Sequence, residues 1–154
     1  MSYLTDANPL LRYVDVSSVQ NTVAASSLNS LMVRGEQVFL VPQTVYEFWS
    51  VATRPQEARG GLGFDRLTTQ AAINDILKIF PLRRDPPDIY DIWYNLVLKY
   101  DVKGVNVHDA RLVAAMIGLN ITHLLTFNTK DFARYTEITV VHPQDIVALA
   151  QLLE

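Results

Sequence analysis

Short apolar segments alternate with helical patterns along the chain, and this alternation restricts the fold more than any other feature of the sequence. Strands are predicted at residues 3–5, 37–41, 123–127 and 137–141, with a further brief strand near residues 82–83. Strands that alternate with helices usually form a parallel sheet whose two faces are both covered by helices. We therefore expect an α/β fold in a single domain over residues 1–154.

The predicted helices follow from apolar periodicity and from start and stop residues. Asn8-Pro9 opens the first helix, and Gly35 ends the second, which runs to about Met32. The segment at 55–64 contains Gly60-Gly61-Leu62-Gly63 and is predicted to be a mobile loop. The other predicted helices cover residues 44–53, 69–80, 87–99, 108–117 and 143–153.

Composition excludes several classes of protein. Apolar residues make up 49% and charged residues 19% of the 154, which is typical of a globular domain and not of a disordered one. No apolar run approaches the ~20 residues needed to span a bilayer, and the first residues lack the basic region of a signal peptide. The chain has no cysteine, so disulfides and thiolate metal sites are excluded and a reducing cytoplasm is expected.

In parallel sheets, functional sites lie beyond the carboxyl ends of the strands, and Asp6 directly follows the first predicted strand. An Asp in such a place is often a helix N-cap. Here Asn8 and Pro9 are better suited to begin the helix, because Asn is a good cap and Pro is favoured at the first helical position. The carboxylate of Asp6 is therefore predicted to be uncommitted and available for chemistry.

Asp109 gives the strongest purely physical signal in the sequence. A carboxylate in the first turn of a helix is favoured by the helix dipole, which is an ordinary structural role. However, the residues three, four and seven positions later are Leu112, Val113 and Met116, so Asp109 heads the apolar stripe of its helix. An ionised carboxylate on that face is costly unless it is paired or bound to metal.

Glu47 is ambiguous from pattern alone. It falls on the polar side of its helix together with Ser50 and Arg54, which favours a solvated surface residue.

The segment 126–132, which follows the third long predicted strand, has two compatible interpretations. Asn128 and Asp131 fit a polar turn in which Asn128 caps a short helix and Asp131 completes a capping-box-like pair. They also follow a predicted strand directly, where a functional site at the carboxyl end of a parallel sheet would need polar side chains.

Four segments together resemble the motif regions of the PIN-domain family, and in particular its VapC-type toxins. The segments are YLTDANPLLRY, VPQTVYEFWSVATRP, VNVHDARLVAAM and LLTFNTKDFARY, in family-like order and spacing. The resemblance implies a three-layer α/β/α fold with a mostly parallel sheet. It also implies an acidic pocket that binds Mg²⁺ or Mn²⁺ and cleaves RNA internally.

Carried over onto this sequence, the family's acids are Asp6, Glu47 and Asp109, with a fourth corner between Asn128 and Asp131. Asp6 and Asp109 are the first choice for metal ligands, and Glu47 is expected to ligate metal or to orient or deprotonate the attacking water. The predicted substrate contacts are Asn8, Arg12, Thr126 and Asn128. Nearby cations are expected to form a basic rim that the net charge of −3 conceals: Arg12, Arg54, Arg59, Arg111, Lys130 and Arg134.

Two further expectations concern partners and alternatives. The predicted helix at 87–99 is apolar around most of its circumference, which indicates a protein interface. The resemblance implies a homodimer and a small cognate antitoxin protein. An alternative is a PIN-like module without catalysis that binds RNA or protein. A phosphohydrolase resembling the haloacid-dehalogenase group is disfavoured, because Asn8 stands where that chemistry needs a second acid.

Overall fold

The computed structural model describes all of residues 1–154 and contains four parallel strands. These are β1 (Ser2–Thr5), β2 (Gln37–Phe39), β3 (His123–Leu125) and β4 (Thr139–Val141), and they pair in the order β2-β1-β3-β4. In place of the brief strand predicted near 82–83, Leu82 forms one parallel bridge with Leu40 beside β2. The predicted parallel sheet is confirmed.

Eight helices surround the sheet, and none of them is long and apolar enough to cross a membrane. The predicted helix at 108–117 is longer at both ends, and it ends where Asn120 adopts the left-handed conformation with φ of 57°. Asn tolerates that conformation and can end a helix as Gly does. The helices are α1 (Ala7–Val14), α2 (Asn21–Val33), α3 (Pro42–Ala52), α4 (Arg66–Ile79), α5 (Ile89–Tyr100), α6 (Asn106–Leu119), α7 (Thr129–Phe132) and α8 (Pro143–Leu152).

The sheet has a hydrophobic core on each face, because successive side chains of a strand point in opposite directions. Tyr3 and Leu125 face a core built with α1, α2, α3, α4 and α8. Leu4 and Leu124 face a second core built with α5, α6 and α7. These two cores explain why the strands are apolar without alternation, and they confirm the three-layer α/β/α arrangement.

The carboxyl ends of the strands lead into the segments that carry the predicted site residues. The backbone N–H of Asp6 donates to the carbonyl of Leu125 at 2.9 Å, and that of Thr126 donates to Val141 at 3.0 Å. These bonds extend the parallel ladder one residue beyond β1 and β3. Asp6 and Thr126 are thereby held on neighbouring strands at the same edge of the sheet.

Candidate active site

Four acidic side chains line one pocket of about 390 Å³ at the carboxyl edge of the sheet. Asp6 follows β1, Glu47 lies on α3, Asp109 on α6 and Asp131 on α7. The predicted substrate contacts Asn8, Arg12 and Asn128 also line the pocket. Thr126 is fully buried beneath it. The structure therefore brings the predicted site residues together around a single cavity.

Asp6 is in the predicted place, but the reason given for its availability is wrong. The carboxylate caps α1 by accepting from the backbone N–H of Ala7 at 2.8 Å, so the helix begins before Asn8. Its second oxygen accepts from the Thr126 hydroxyl at 2.8 Å. Burial raises the pKa of Asp6, the two hydrogen bonds oppose that shift, and the charge of Asp131 adds to it. Asp6 is thus a rigidly oriented carboxylate with 7% of its surface exposed.

Thr126 links Asp6 to the turn that follows β3. Its hydroxyl donates to Asp6 and accepts from the backbone N–H of Asn128 at 3.0 Å. Because Thr126 is fully buried, its role in the structure is to fix Asp6 and the turn, and no substrate reaches it directly.

Glu47 is half-buried, because the polar side of α3 faces the pocket and not the open solvent. Its Oε1 accepts from the Nε2 of Gln43, one helical turn earlier, at 2.9 Å. Burial raises the pKa of Glu47, the Gln43 bond opposes the shift, and the charge of Asp6 reinforces it. Its other carboxylate oxygen has no protein donor and remains free for water or a cation.

Gln43 is a site residue that the sequence did not reveal. Besides Glu47, its Nε2 donates to the carbonyl of His108 at 2.8 Å, and its Oε1 accepts from Arg111 at 3.2 Å. Arg111 in turn forms an ion pair with Asp85 at 2.9 Å. Gln43 therefore joins α3 to the start of α6, where Asp109 lies. Only its position four residues before Glu47 could have indicated the contact.

Asp109 is half-buried as predicted and has neither a hydrogen-bond donor nor an ion-pair partner in the protein. Burial raises its pKa from 3.8 to about 7, with further contributions from the charges of Asp131, Asp6 and Glu47 and a small opposing effect of Arg134. A carboxylate in this state gains free energy from any cation that enters the pocket.

Asn128 occupies the N-cap position of α7 as predicted, but its side chain makes no capping hydrogen bond. Its backbone N–H donates to the Thr126 hydroxyl, and its carbonyl accepts from the backbone N–H of Asp131 at 3.1 Å. Asp131 lies in the first turn of α7, where the helix dipole favours a carboxylate. Its charge raises the pKa of both Asp6 and Asp109, so it stands close enough to share their field.

The pocket offers a metal ion carboxylate oxygens from several elements of the fold. No three His, Cys, Asp or Glu side chains are grouped so that they could hold an ion together. Mg²⁺ commonly takes only one or two protein carboxylates and completes its shell with water and substrate phosphate. Asp6 and Asp109, with oxygen donors only and strained by mutual repulsion, fit that demand.

The predicted basic rim is only partly present. Arg12, Arg54 and Arg59 line the pocket, whereas Arg111 is committed to Asp85 and Gln43. Lys130 and Arg134 do not line it.

The parallel α/β/α fold of this chain is shared with several solved structures. VapBC2 of Rickettsia felis, bound to a DNA fragment from its promoter, matches with a TM-score of 0.68 and 12% identity over 92% of this chain and 98% of that chain. VapBC-1 of nontypeable Haemophilus influenzae matches with a TM-score of 0.67 and 16% identity over 94% and 99%. A sarcin–ricin-loop-cleaving VapC toxin of Mycobacterium tuberculosis matches with a TM-score of 0.62 and 14% identity over 88% and 98%.

No protein-family model and no curated protein matches the sequence. The structural matches span nearly the whole of each chain, so they concern the entire fold and not a fragment of it. The chain shares the fold of these VapBC and VapC structures, which agrees with the three-layer α/β/α fold that the resemblance of the four segments implied.

Proposed function

We propose that this protein is a metal-dependent endoribonuclease and the toxin of a type II toxin–antitoxin pair. The observation that carries the proposal is the gathering of four acids, from four different elements, in one pocket at the carboxyl edge of a PIN-like sheet. The raised pKa values of Asp6, Glu47 and Asp109 support it, because groups with perturbed pKa values cluster at functional sites.

Each acid has a role that its surroundings favour. Asp6 and Asp109 would hold Mg²⁺ or Mn²⁺, which when bound supplies an acidified water and neutralises charge on the scissile phosphate. Asp6 is oriented for this by Ala7 and Thr126. Glu47, held through one oxygen by Gln43, is placed to accept a proton at the other oxygen. Asp131 adds negative charge that strengthens cation binding at Asp109.

The partners follow from the exposed side of α5. Tyr90, Tyr94 and Leu98 recur every fourth residue and are 66%, 48% and 62% exposed, while Leu96 packs into the core. We assign this apolar face to a protein contact, either with a second copy in a homodimer or with a small antitoxin that blocks the pocket. The matched structures that are toxin–antitoxin complexes favour this assignment.

The test is a cleavage assay on mixed cellular RNAs with the wild-type protein and Asp6→Asn, with Mg²⁺ or Mn²⁺ and with a chelator. We expect internal cleavage by the wild type with metal only, and no cleavage by the variant. Asp75→Asn is the matched control, because Asp75 is an exposed residue of α4 outside the pocket. Glu47→Gln repeats the test at a less buried acid. If the RNA remains intact when the folded wild-type protein is supplied with Mg²⁺ or Mn²⁺, the proposal is refuted.

The second candidate is a non-catalytic PIN-like module that binds RNA or protein. The observation that favours it is that no three His, Cys, Asp or Glu side chains are grouped so that they could hold a metal ion. It predicts RNA binding without cleavage and no metal-dependent heat in calorimetry, whereas the nuclease proposal predicts both cleavage and heat.

A further inference from the structure

Three arginines form one side of the acidic pocket, and we call Arg12, Arg54 and Arg59 the rim arginines. None of the ion pairs in the structure joins a rim arginine to Asp6, Glu47, Asp109 or Asp131. Opposite charges attract each other, so flexible side chains of opposite charge in one cavity would be expected to pair. The fold therefore keeps the cationic rim apart from the acids.

Arg12 lies on α1, where its Nε donates to Oδ1 of Asn8 at 3.1 Å and its guanidinium pairs with Asp15 at 3.9 Å. Arg54 and Arg59 lie on the loop from Arg54 to Gly63, which we call the rim loop. The sequence predicted a mobile segment here, but the loop folds back onto the end of α3. The backbone N–H of Gly63 donates to Arg54 at 2.8 Å, and that of Leu62 donates to Val51 at 3.3 Å. The Leu62 side chain is buried in the core on that face of the sheet. Within the loop, Nη1 of Arg54 donates to the carbonyl of Arg59 at 2.7 Å.

Glycine is required at two points of the rim loop. A Cβ on Gly61 would lie 2.2 Å from the carbonyl oxygen of Pro55 and 2.5 Å from that of Arg54, so no other residue fits without displacing the backbone. Gly60 has a φ of +67°, and a Cβ there would come within 3.2 Å of Nη2 of Arg12. The loop backbone is thus packed directly against the guanidinium of Arg12, which places the arginines of two distant segments together.

We propose that the rim arginines bind a backbone phosphate of the RNA that flanks the phosphate held at the acids. Arg12 and Arg59 contact this flanking phosphate, and Arg54 is a positioning residue that holds Arg59 through its carbonyl. The inference rests on the proposed function, since it takes RNA as the substrate. A guanidinium fork matches phosphate oxygens in geometry and charge.

A single-stranded RNA with several phosphates can bind at the acids and at the rim arginines at the same time. The acids repel a phosphate unless a cation is present, whereas the rim attracts one without it. A ligand that spans both therefore needs one phosphate at the cation and another at the rim. This requirement favours internal cleavage of a polymer over attack on a single nucleotide.

The test measures RNA binding and not cleavage. A fluorescent single-stranded RNA is titrated with the Asp6→Asn protein in chelator over a series of salt concentrations, and Arg59→Gln is compared in the same background. We expect about tenfold weaker binding at low salt, as for loss of one charged hydrogen bond, and a salt slope about 0.7 smaller in magnitude, as for one lost single-strand contact. Arg84→Gln is the matched control, because Arg84 is an exposed arginine outside the pocket.

A double-mutant cycle separates the positioning role from direct contact. If Arg54 acts through Arg59, Arg54→Gln weakens binding alone but adds little in the Arg59→Gln background. Additive losses would show that Arg54 contacts RNA itself and would overturn its positioning role. No RNA binding at low salt, or a slope equal to that of the Arg84→Gln control, would overturn the rim proposal.

The two proposals fail in different ways. Rim-dependent binding without wild-type cleavage in metal would refute the nuclease and leave the rim standing. Cleavage by the wild type, together with an unchanged salt slope in Arg59→Gln, would support the nuclease and refute the rim proposal.

Discussion

Replacing Asp109 by Asn should stabilise the metal-free protein, although it removes a proposed metal ligand. Asp109 is half-buried without a donor or cation partner, and its pKa is raised from 3.8 to about 7 by burial first and then by Asp131, Asp6 and Glu47. Asn has nearly the same shape and no charge to bury. The variant therefore removes an electrostatic cost that the folded state bears and the unfolded state does not.

The pH dependence of this cost follows from the two pKa values. Between pH 3.8 and about 7 the folded protein keeps a proton on Asp109 that the unfolded chain releases. The folded state binds more protons in this window, so the free energy of unfolding falls as pH rises through it, and the cost is complete above about 7. The shift of about 3 pKa units would correspond to about 4 kcal/mol for a fully enclosed group. Because Asp109 is about half exposed, solvent screening reduces the expected cost to about 1–2 kcal/mol.

The assay is urea unfolding in chelator at pH 8 and at pH 4.5, with Asp75→Asn as the surface control. We expect Asp109→Asn to exceed the wild type by about 1–2 kcal/mol at pH 8 and by clearly less at pH 4.5. Added Mg²⁺ should stabilise the wild type more than the variant, since ligands that bind only the folded state raise its stability. A variant that is less stable than the wild type at pH 8, or one with equal effects at both pH values, would refute the electrostatic reasoning.

Two further substitutions test the contacts that orient the acids. Thr126→Val removes a fully buried hydroxyl that bonds Asp6 and Asn128, and it should lower the free energy of unfolding by about 2 kcal/mol in urea titrations; a loss below about 0.5 kcal/mol would contradict the assigned bonds. Gln43→Leu releases Glu47, and we expect the cleavage rate constant to fall about tenfold or more while RNA affinity is unchanged, as for a misoriented proton acceptor. Equal loss of affinity would instead indicate a general disturbance of the pocket.

Much of the fold was predictable because its strands are buried on both faces. Tyr3 and Leu4 pack into opposite cores, so both positions must be apolar, and a continuous apolar run marks the strand. The brief strand predicted near residues 82–83 does not form, and only a single bridge joins Leu82 to Leu40.

The site was predictable to the extent that local pattern and tertiary position agree. Asp109 breaks the apolar stripe of its own helix, and this conflict is visible in the sequence. Glu47 gives no such signal, because a polar face that lines a pocket and a polar face in open water have the same pattern. For Asp6 the position was found with the wrong helix start, because the Asp6 carboxylate itself caps α1 at Ala7. Its bond to Thr126 joins residues 120 positions apart and leaves no local pattern.

The contacts of Gln43 and the close packing of the rim loop could not be predicted from the sequence. Gln43 resembles an ordinary residue of the first helical turn, and its contacts to His108 and Arg111 cross 65 and 68 positions. The glycines at 60 and 61 were interpreted as a sign of flexibility. Glycine occurs both in flexible segments and where two backbones pack closely together, so the sequence alone does not distinguish these two cases. The structure shows close packing at Gly61, which lies directly against the carbonyl of Arg54.

Because the acids and the rim arginines of the pocket are not paired, the acids remain available for a cation and the arginines for a phosphate. If Arg12 or Arg59 paired with Asp109, the carboxylate would lose its raised pKa and its gain from a cation, and the guanidinium would lose its capacity for phosphate. The acids are therefore kept unpaired at a cost in stability, and the rim loop is bonded to the end of α3 and packed beside Arg12, with none of its cations paired to an acid of the pocket. On this reasoning, a variant that loosens the loop should bring the rim arginines toward the acids, stabilise the metal-free protein and weaken RNA binding together.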